Sequence, residues 1–195
     1  MSPVDAIACL YHPFYCEENV WHLCDNAGLS SGMHAVVVTS EAQVCPLWHQ
    51  RCAADVEHPV FWDYHVFAVA RGKDSFPCVY DLDSTLAFPT SLATYIQATF
   101  GASGAFPSRY APRFRIIPGS HFRAHFFSNR NHMRDADGRY LQAPPPWPPI
   151  LGEKPRLTLA EARNMALSRP PTVVVDVAGL RSYFSSAWPC PEGGR

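Results

Sequence analysis

The chain carries little charge and no excess of either sign. Asp, Glu, Lys and Arg supply 17% of its 195 residues and the formal net charge is −1, so nothing builds the basic field that draws a protein to nucleic acid or an anionic membrane surface. No nucleic-acid or membrane partner is expected. Long apolar runs are missing too: no segment approaches the roughly 18 residues of a membrane span, and residues 1–9 do not join a basic start to an apolar stretch, so no signal peptide is expected. There is no internal repeat, no C-x-x-C and no H-E-x-x-H. The seven cysteines are odd in number and scattered, which suits a reducing compartment better than a disulfide framework. The expectation is a soluble monomer of the cytoplasm, with the nucleus open to it.

What is present is a globular composition, 47% hydrophobic, in a chain long enough to bury its own core. That favours one domain over residues 1–195. Val20, Leu23, Cys24 and Ala27 recur at helical spacing, so a helix is expected to begin at or just before Cys16 and run to residue 27. Residues 33–39 read as a buried strand, and 43–48 as a strand that Pro46 restricts to an edge. Residues 60–70 and 76–82 flank the polar stretch 71–75 and read as a hairpin. Helices are expected at 91–100, near 121–127, from the capping box of Thr158 and Glu161 to 167, and over 177–184 behind Asp176. Strands are expected at 113–117 and 172–175. The pattern predicts an α+β domain with a mostly antiparallel sheet.

Three short segments carry chemistry: Tyr15-Cys16-Glu17-Glu18-Asn19, Trp62-Asp63-Tyr64-His65-Val66 and Tyr80-Asp81-Leu82-Asp83. They supply a thiol, an imidazole and a carboxylate, the parts of a thiol nucleophile activated by a base that a carboxylate orients. A hairpin centred near Lys73 sets His65 opposite Asp81 on one face, with Cβ atoms roughly 4.5–5.5 Å apart. At a helix N-terminus, Cys16 is expected to feel the positive end of the dipole, which lowers a thiol pKa and offers N–H groups to an oxyanion. Each residue also has a plain structural reading: Cys16 as packing, His65 as a core histidine, Asp81 as a turn cap. His121 and His125, four apart, would share a helical face as zinc ligands do, but no further ligand motif accompanies them and no metal is expected. The run Pro144-Pro145-Pro146-Trp147-Pro148-Pro149 is expected to be an extended strap over the domain rather than a ligand for a partner.

These motifs resemble those of the protein N-terminal glutamine amidohydrolases. The resemblance continues through Phe114-Arg115-Ile116-Ile117, Ser128-Asn129-Arg130-Asn131-His132-Met133, the proline run and residues 172–184, covering nearly the whole chain in family order. It implies a papain/transglutaminase-like fold with an N-terminal nucleophile-bearing helix, and a triad of Cys16, His65 and Asp81. It further implies hydrolysis of the side-chain amide of N-terminal glutamine in a protein or peptide, through a thioester, to N-terminal glutamate and ammonia, a step of the N-degron route. No cofactor is implied. Asn129 and Asn131 depart from the family pattern, where Asp and Ser are usual. Such a substrate presents a free α-ammonium, for which a carboxylate is the natural partner. The candidates are Glu17, Glu18, Asp63 and Asp83, the two aspartates being expected to flank His65 and Asp81 on one face of the hairpin. A thiol protease or acyl transferase with the same triad, and a catalytically silent N-terminus-binding protein, are the alternatives.

Overall fold

A computed structural model of the chain describes residues 9–25, 32–72, 76–151 and 157–187. The predicted end of the first helix at Asn26 and Ala27, the hairpin turn at Lys73, Asp74 and Ser75, and Cys190 lie outside the described residues. The centre of the fold is a strand that is apolar on both sides. β1, His34–Thr39, is a run of β-branched residues with five of its six positions buried, as expected where helices cover both faces of a sheet.

β1 lies between β4 (His65–Arg71) and β7 (Arg113–Pro118). Beyond them come β5 (Pro77–Tyr80) and β6 (Thr90–Ser91) on one side and β10 (Val173–Val175) on the other. The order is β10-β7-β1-β4-β5-β6, every neighbouring pair antiparallel. Two small sheets accompany it: β2 (Cys45–Leu47) with β3 (Val60–Trp62), and β8 (Phe126–Phe127) parallel to β9 (Leu157–Thr158). Among the described residues no helix is long and apolar enough to cross a membrane.

Strand alternation divides the core in two. Ala35 and Val37 of β1, with Val66, Ala68 and Ala70 of β4, pack beneath α1 (Cys16–Asp25) and α3 (Gly119–His125). Val36 and Val38, with Phe67 and Val69, pack beneath α2 (Leu92–Phe100) and α5 (Val177–Ala187). Each fully buried Val, Leu or Phe contributes roughly 1.5–3 kcal/mol, and both sets bury their members almost completely. α3 can start against β1 because Gly119 has no side chain; a Cβ there would lie 2.6 Å from the Met33 carbonyl oxygen.

Three boundaries correct the expectations. Residues 60–70 are not one strand. The chain breaks at Asp63 and Tyr64, where the Asp63 carboxylate accepts the Tyr64 N–H at 3.0 Å and its carbonyl accepts the Thr39 hydroxyl at 2.6 Å, so β3 pairs with β2 and only β4 enters the main sheet. The hairpin register is displaced by two residues, with Ala68 facing Tyr80. A two-residue shift keeps every side chain on its face, but it carries Asp81 past the strand end. Finally α4, Leu159–Arg163, has both bonds of the expected capping box yet stops short of residue 167. The carbonyls of Ala162, Asn164 and Leu167 turn instead to the guanidinium of Arg115, which is fully buried on β7.

Candidate active site

Cys16 is the first residue of α1. The Tyr15 carbonyl accepts the N–H groups of Glu18 and Asn19 at 3.1 and 3.0 Å, and the Asn19 side chain clasps the backbone of His12 through two bonds of 2.8 and 2.9 Å. The entry to the helix is therefore fixed from both sides, and the thiol with it. Cys16 is 4% exposed; its sulfur accepts the backbone N–H of Val66 and lies 3.9 Å from Glu17 Oε2.

Val66 follows His65, the first residue of β4. Nε2 of His65 donates to Asp81 Oδ1 at 3.0 Å, and both side chains are buried. That bond fixes the tautomer and leaves Nδ1 buried with no hydrogen-bond partner. Trp62 stacks on the ring at 5.7 Å. Asp81 is held in turn by the Tyr95 hydroxyl of α2 at 2.7 Å and by the Asp83 N–H at 3.0 Å. The imidazole and its carboxylate are thus tied to the α2 side of the sheet, while the sulfur packs with the α1 side.

The electrostatics follow from burial and neighbours. Burial pushes the His65 imidazole down, but the charge and hydrogen bond of Asp81 outweigh it and the net direction is up. Burial pushes the Asp81 carboxyl up, and His65 with Tyr95 brings it below its ordinary value. For Cys16 the expected lowering is corrected: burial, followed by the Glu17 carboxylate, raises the thiol well above its ordinary value, against the Val66 N–H. The opening turn of a helix does not overcome a dry site with a negative neighbour.

The four candidate carboxylates have different places. Glu18 receives Arg130 in a fork of two 2.7 Å bonds and the Trp147 indole N–H at 2.7 Å. Its capacity is taken up in binding the proline run onto α1, since Arg130 also donates to the Trp147 carbonyl at 2.8 Å. Asp63 does not face Asp83 as expected; after the break behind β3 it pairs with Arg163, 3.0 Å away, at the cavity wall with 58% of its side chain exposed. Asp83 is buried, accepts the Tyr11 hydroxyl at 3.0 Å, and is pushed up to about 6, chiefly by burial.

Glu17 is the fourth, fully buried beside the sulfur. Tyr64 donates to Oε2 at 3.0 Å, and Ser128 Oγ and His132 Nε2 each lie 3.4 Å from Oε1. His132 Nε2 is also 3.1 Å from the Tyr64 hydroxyl. Cys16, Tyr64 and His132 line a cavity of about 290 Å³ with Phe14, Trp62, Asp63 and Leu141. Tyr64, Arg130 and His132 were not singled out from the sequence, although all three stand in the motifs quoted above. Their partners on α1 are 47, 112 and 115 residues away, beyond any local pattern. Asn129 accepts the Asn131 N–H at 3.1 Å, a turn contact that an aspartate oxygen would make equally well.

One group could in principle hold a metal ion: His65, Asp81 and Asp83 each place a ligand atom within 4.8 Å of the others. The Nε2 that a metal would take is already bonded to Asp81, so the donor set fits a hydrogen-bonded pair. Among the described residues no third ligand joins His121 and His125.

A buried thiol at a helix start, with an imidazole and carboxylate paired beside it on an antiparallel sheet, is the equipment of a thiol hydrolase. The chain belongs to the N-terminal glutamine amidase family, whose model matches residues 11–184. It is 36% identical over 181 residues to the protein N-terminal glutamine amidohydrolase of Drosophila mojavensis, covering 90% of this chain and 88% of that one. The protein of the same name from Arabidopsis thaliana is 40% identical over 159 residues, 77% of this chain and 72% of its own. That from Drosophila virilis is 35% identical over 181 residues, 90% and 88%.

Proposed function

We propose that this chain hydrolyses the side-chain amide of an N-terminal glutamine in a protein or peptide, giving N-terminal glutamate and ammonia, with Cys16 as nucleophile, His65 as base and Asp81 as the carboxylate that orients it. The observation that carries the reading is the free Nδ1 of a buried imidazole whose Nε2 is bonded to Asp81, next to the amide on which the Cys16 sulfur rests. The fold is read as papain/transglutaminase-like on the same ground, a nucleophile on the first helix and its base on the sheet.

In this mechanism Nδ1 takes the thiol proton as the sulfur attacks the δ-carbon, and the Cys16 N–H at the helix start receives the developing oxyanion. The carbon–nitrogen bond breaks as the imidazolium passes its proton to the leaving nitrogen, and ammonia departs from a thioester. Neutral His65 then removes a proton from water, which attacks the thioester and releases glutamate and the sulfur. The product is the kind of N-terminus an arginyl transferase accepts, the next step of the N-degron route.

Of the four carboxylates, Glu17 is assigned the α-ammonium, because its partners Cys16, Tyr64 and His132 form the cavity wall and its Oε1 contacts are the long ones. Glu18 is fully engaged, Asp63 lines the cavity but is paired with Arg163, and Asp83 lines a different cavity. The test is ammonia release from a Gln-initiated peptide, its acetylated form and the same peptide with glutamine internal. Only the first should react, and Cys16→Ala should abolish it; native-rate release by that variant would falsify the assignment.

A further inference from the structure

The sulfur of Cys16 and the carboxylate of Glu17 are 3.9 Å apart in a buried site. Both are acids, and at such a distance away from water two negative charges repel strongly. The site as it stands therefore opposes the thiolate that its chemistry needs. Among the described residues nothing facing Glu17 cancels the charge permanently: Tyr64 and Ser128 are neutral hydroxyls, and His132 is a long contact on a side chain that is 22% exposed. Glu18, one residue on, shows the contrast, with Arg130 locked onto it from both oxygens. Exchanging those surroundings would free the sulfur of this repulsion, yet Glu17 lacks a fixed cation.

From this arrangement we infer that the substrate's own α-ammonium is the missing cation: it binds Glu17 Oε1 from the His132 side and, by neutralising that carboxylate, allows Cys16 to pass its proton to His65 Nδ1. The inference rests on the proposed function and adds to it how a free N-terminus is selected. Recognition and activation become one event, so a peptide lacking the ammonium meets an enzyme whose nucleophile stays a thiol. The upward push on the Cys16 thiol, in which Glu17 follows burial, agrees with this. So does the thiol's direction, since Glu17 Oε2 is the acceptor within its reach. An acetylated N-terminus should accordingly lose kcat as well as KM, because the missing charge acts on the chemical step.

The experiment follows thiolate formation directly. The ultraviolet thiolate absorbance of wild-type protein, less that of Cys16→Ala, is titrated with pH alone, with glycinamide and with N-acetylglycinamide. Glycinamide offers the ammonium without a side-chain amide to hydrolyse, and saturation is judged by its competition with a Gln-initiated peptide. The expected result is a fall of about one unit in the Cys16 midpoint with glycinamide, a tenfold gain in thiolate at fixed pH, and no change with the acetylated compound. In Glu17→Gln the midpoint should already be lower and glycinamide should not move it. A midpoint that glycinamide leaves in place in the wild type, an equal shift in Glu17→Gln, or a failure of glycinamide to compete overturns the inference. The wild-type arm needs no variant to fold. Each of these results leaves the proposed hydrolysis standing, which fails if the Gln-initiated peptide releases no ammonia or Cys16→Ala still releases it.

Discussion

Glu17 and Glu18 are consecutive, both fully buried and both in the first turn of α1, yet they serve different ends. Around Glu18 the protein has built a complete charge pair: a forked guanidinium, an indole N–H, and the backbone of the proline run drawn in behind. Arg130 even takes a left-handed backbone conformation, φ 63°, to make the fork, a conformation uncommon outside glycine. Around Glu17 the partners are a tyrosine, a serine, a histidine at long range and a sulfur. A carboxylate with all its acceptor sites filled by fixed donors can only hold structure. One whose partners are neutral and partly displaceable can still take a ligand. Asp81 and Asp83 repeat the contrast, the first bonded three times over and held below its ordinary pKa, the second raised to about 6 by burial.

The largest effect should come from the proposed catalytic pair, His65 and Asp81. Asp81→Asn removes the charge that holds His65 in its tautomer, and kcat for a Gln-initiated peptide should fall by roughly 10³–10⁴, as for the orienting carboxylate of other triads. A loss under tenfold would reduce Asp81 to a packing residue.

The two glutamates should then separate cleanly. Glu18→Gln leaves the Arg130 guanidinium buried without its counter-charge, at a cost of about 3–5 kcal/mol, read as a fall in Tm of roughly 6–15 °C. Glu17→Gln should move Tm by far less while lowering kcat/KM for the free peptide and narrowing its advantage over the acetylated one. Equal Tm losses in the two variants would erase the distinction.

A smaller effect tests Asp83. Its folded-state pKa, near 6, is above the ordinary carboxyl value of 3.8, so the folded protein binds the proton more tightly than the unfolded chain. Stability on its account is therefore greatest below about pH 4, falls between there and about 6, and stays reduced above that. Asp83→Asn, which keeps an acceptor for the Tyr11 hydroxyl, should raise Tm at pH 8 by the equivalent of about 1–3 kcal/mol, with the gain vanishing by pH 4. A constant difference across pH would remove Asp83 from the list of buried ionisable groups. Smallest of all, Asn129→Asp should leave activity within about twofold, since the exposed turn contact to Asn131 needs only an oxygen.

Much of this was legible in local pattern, and the exceptions share a cause. The α1 start, the extent of α2 to within one residue and the capping box of α4 are decided by residues within four positions of one another, and the local pattern places them. The strand break at Asp63 was not, because it depends on the Thr39 hydroxyl of another strand. The end of α4 depends on Arg115, 47 to 52 residues away. The meeting of His65 and Asp81 was anticipated through a register two residues off, and survives because the error was even. What separates Glu17 from Glu18 lies wholly in distant partners, and no periodicity distinguishes them.

Tyr95 reaches Asp81 from α2, whereas Cys16 is rooted in α1 on the opposite side of the sheet. The two halves of the proposed couple are therefore anchored in separate layers and meet at the start of β4, where the Val66 N–H holds the sulfur and His65 precedes it. A substitution deep in the α2 layer can retune proton transfer without disturbing the nucleophile's own bed, and the converse holds for α1.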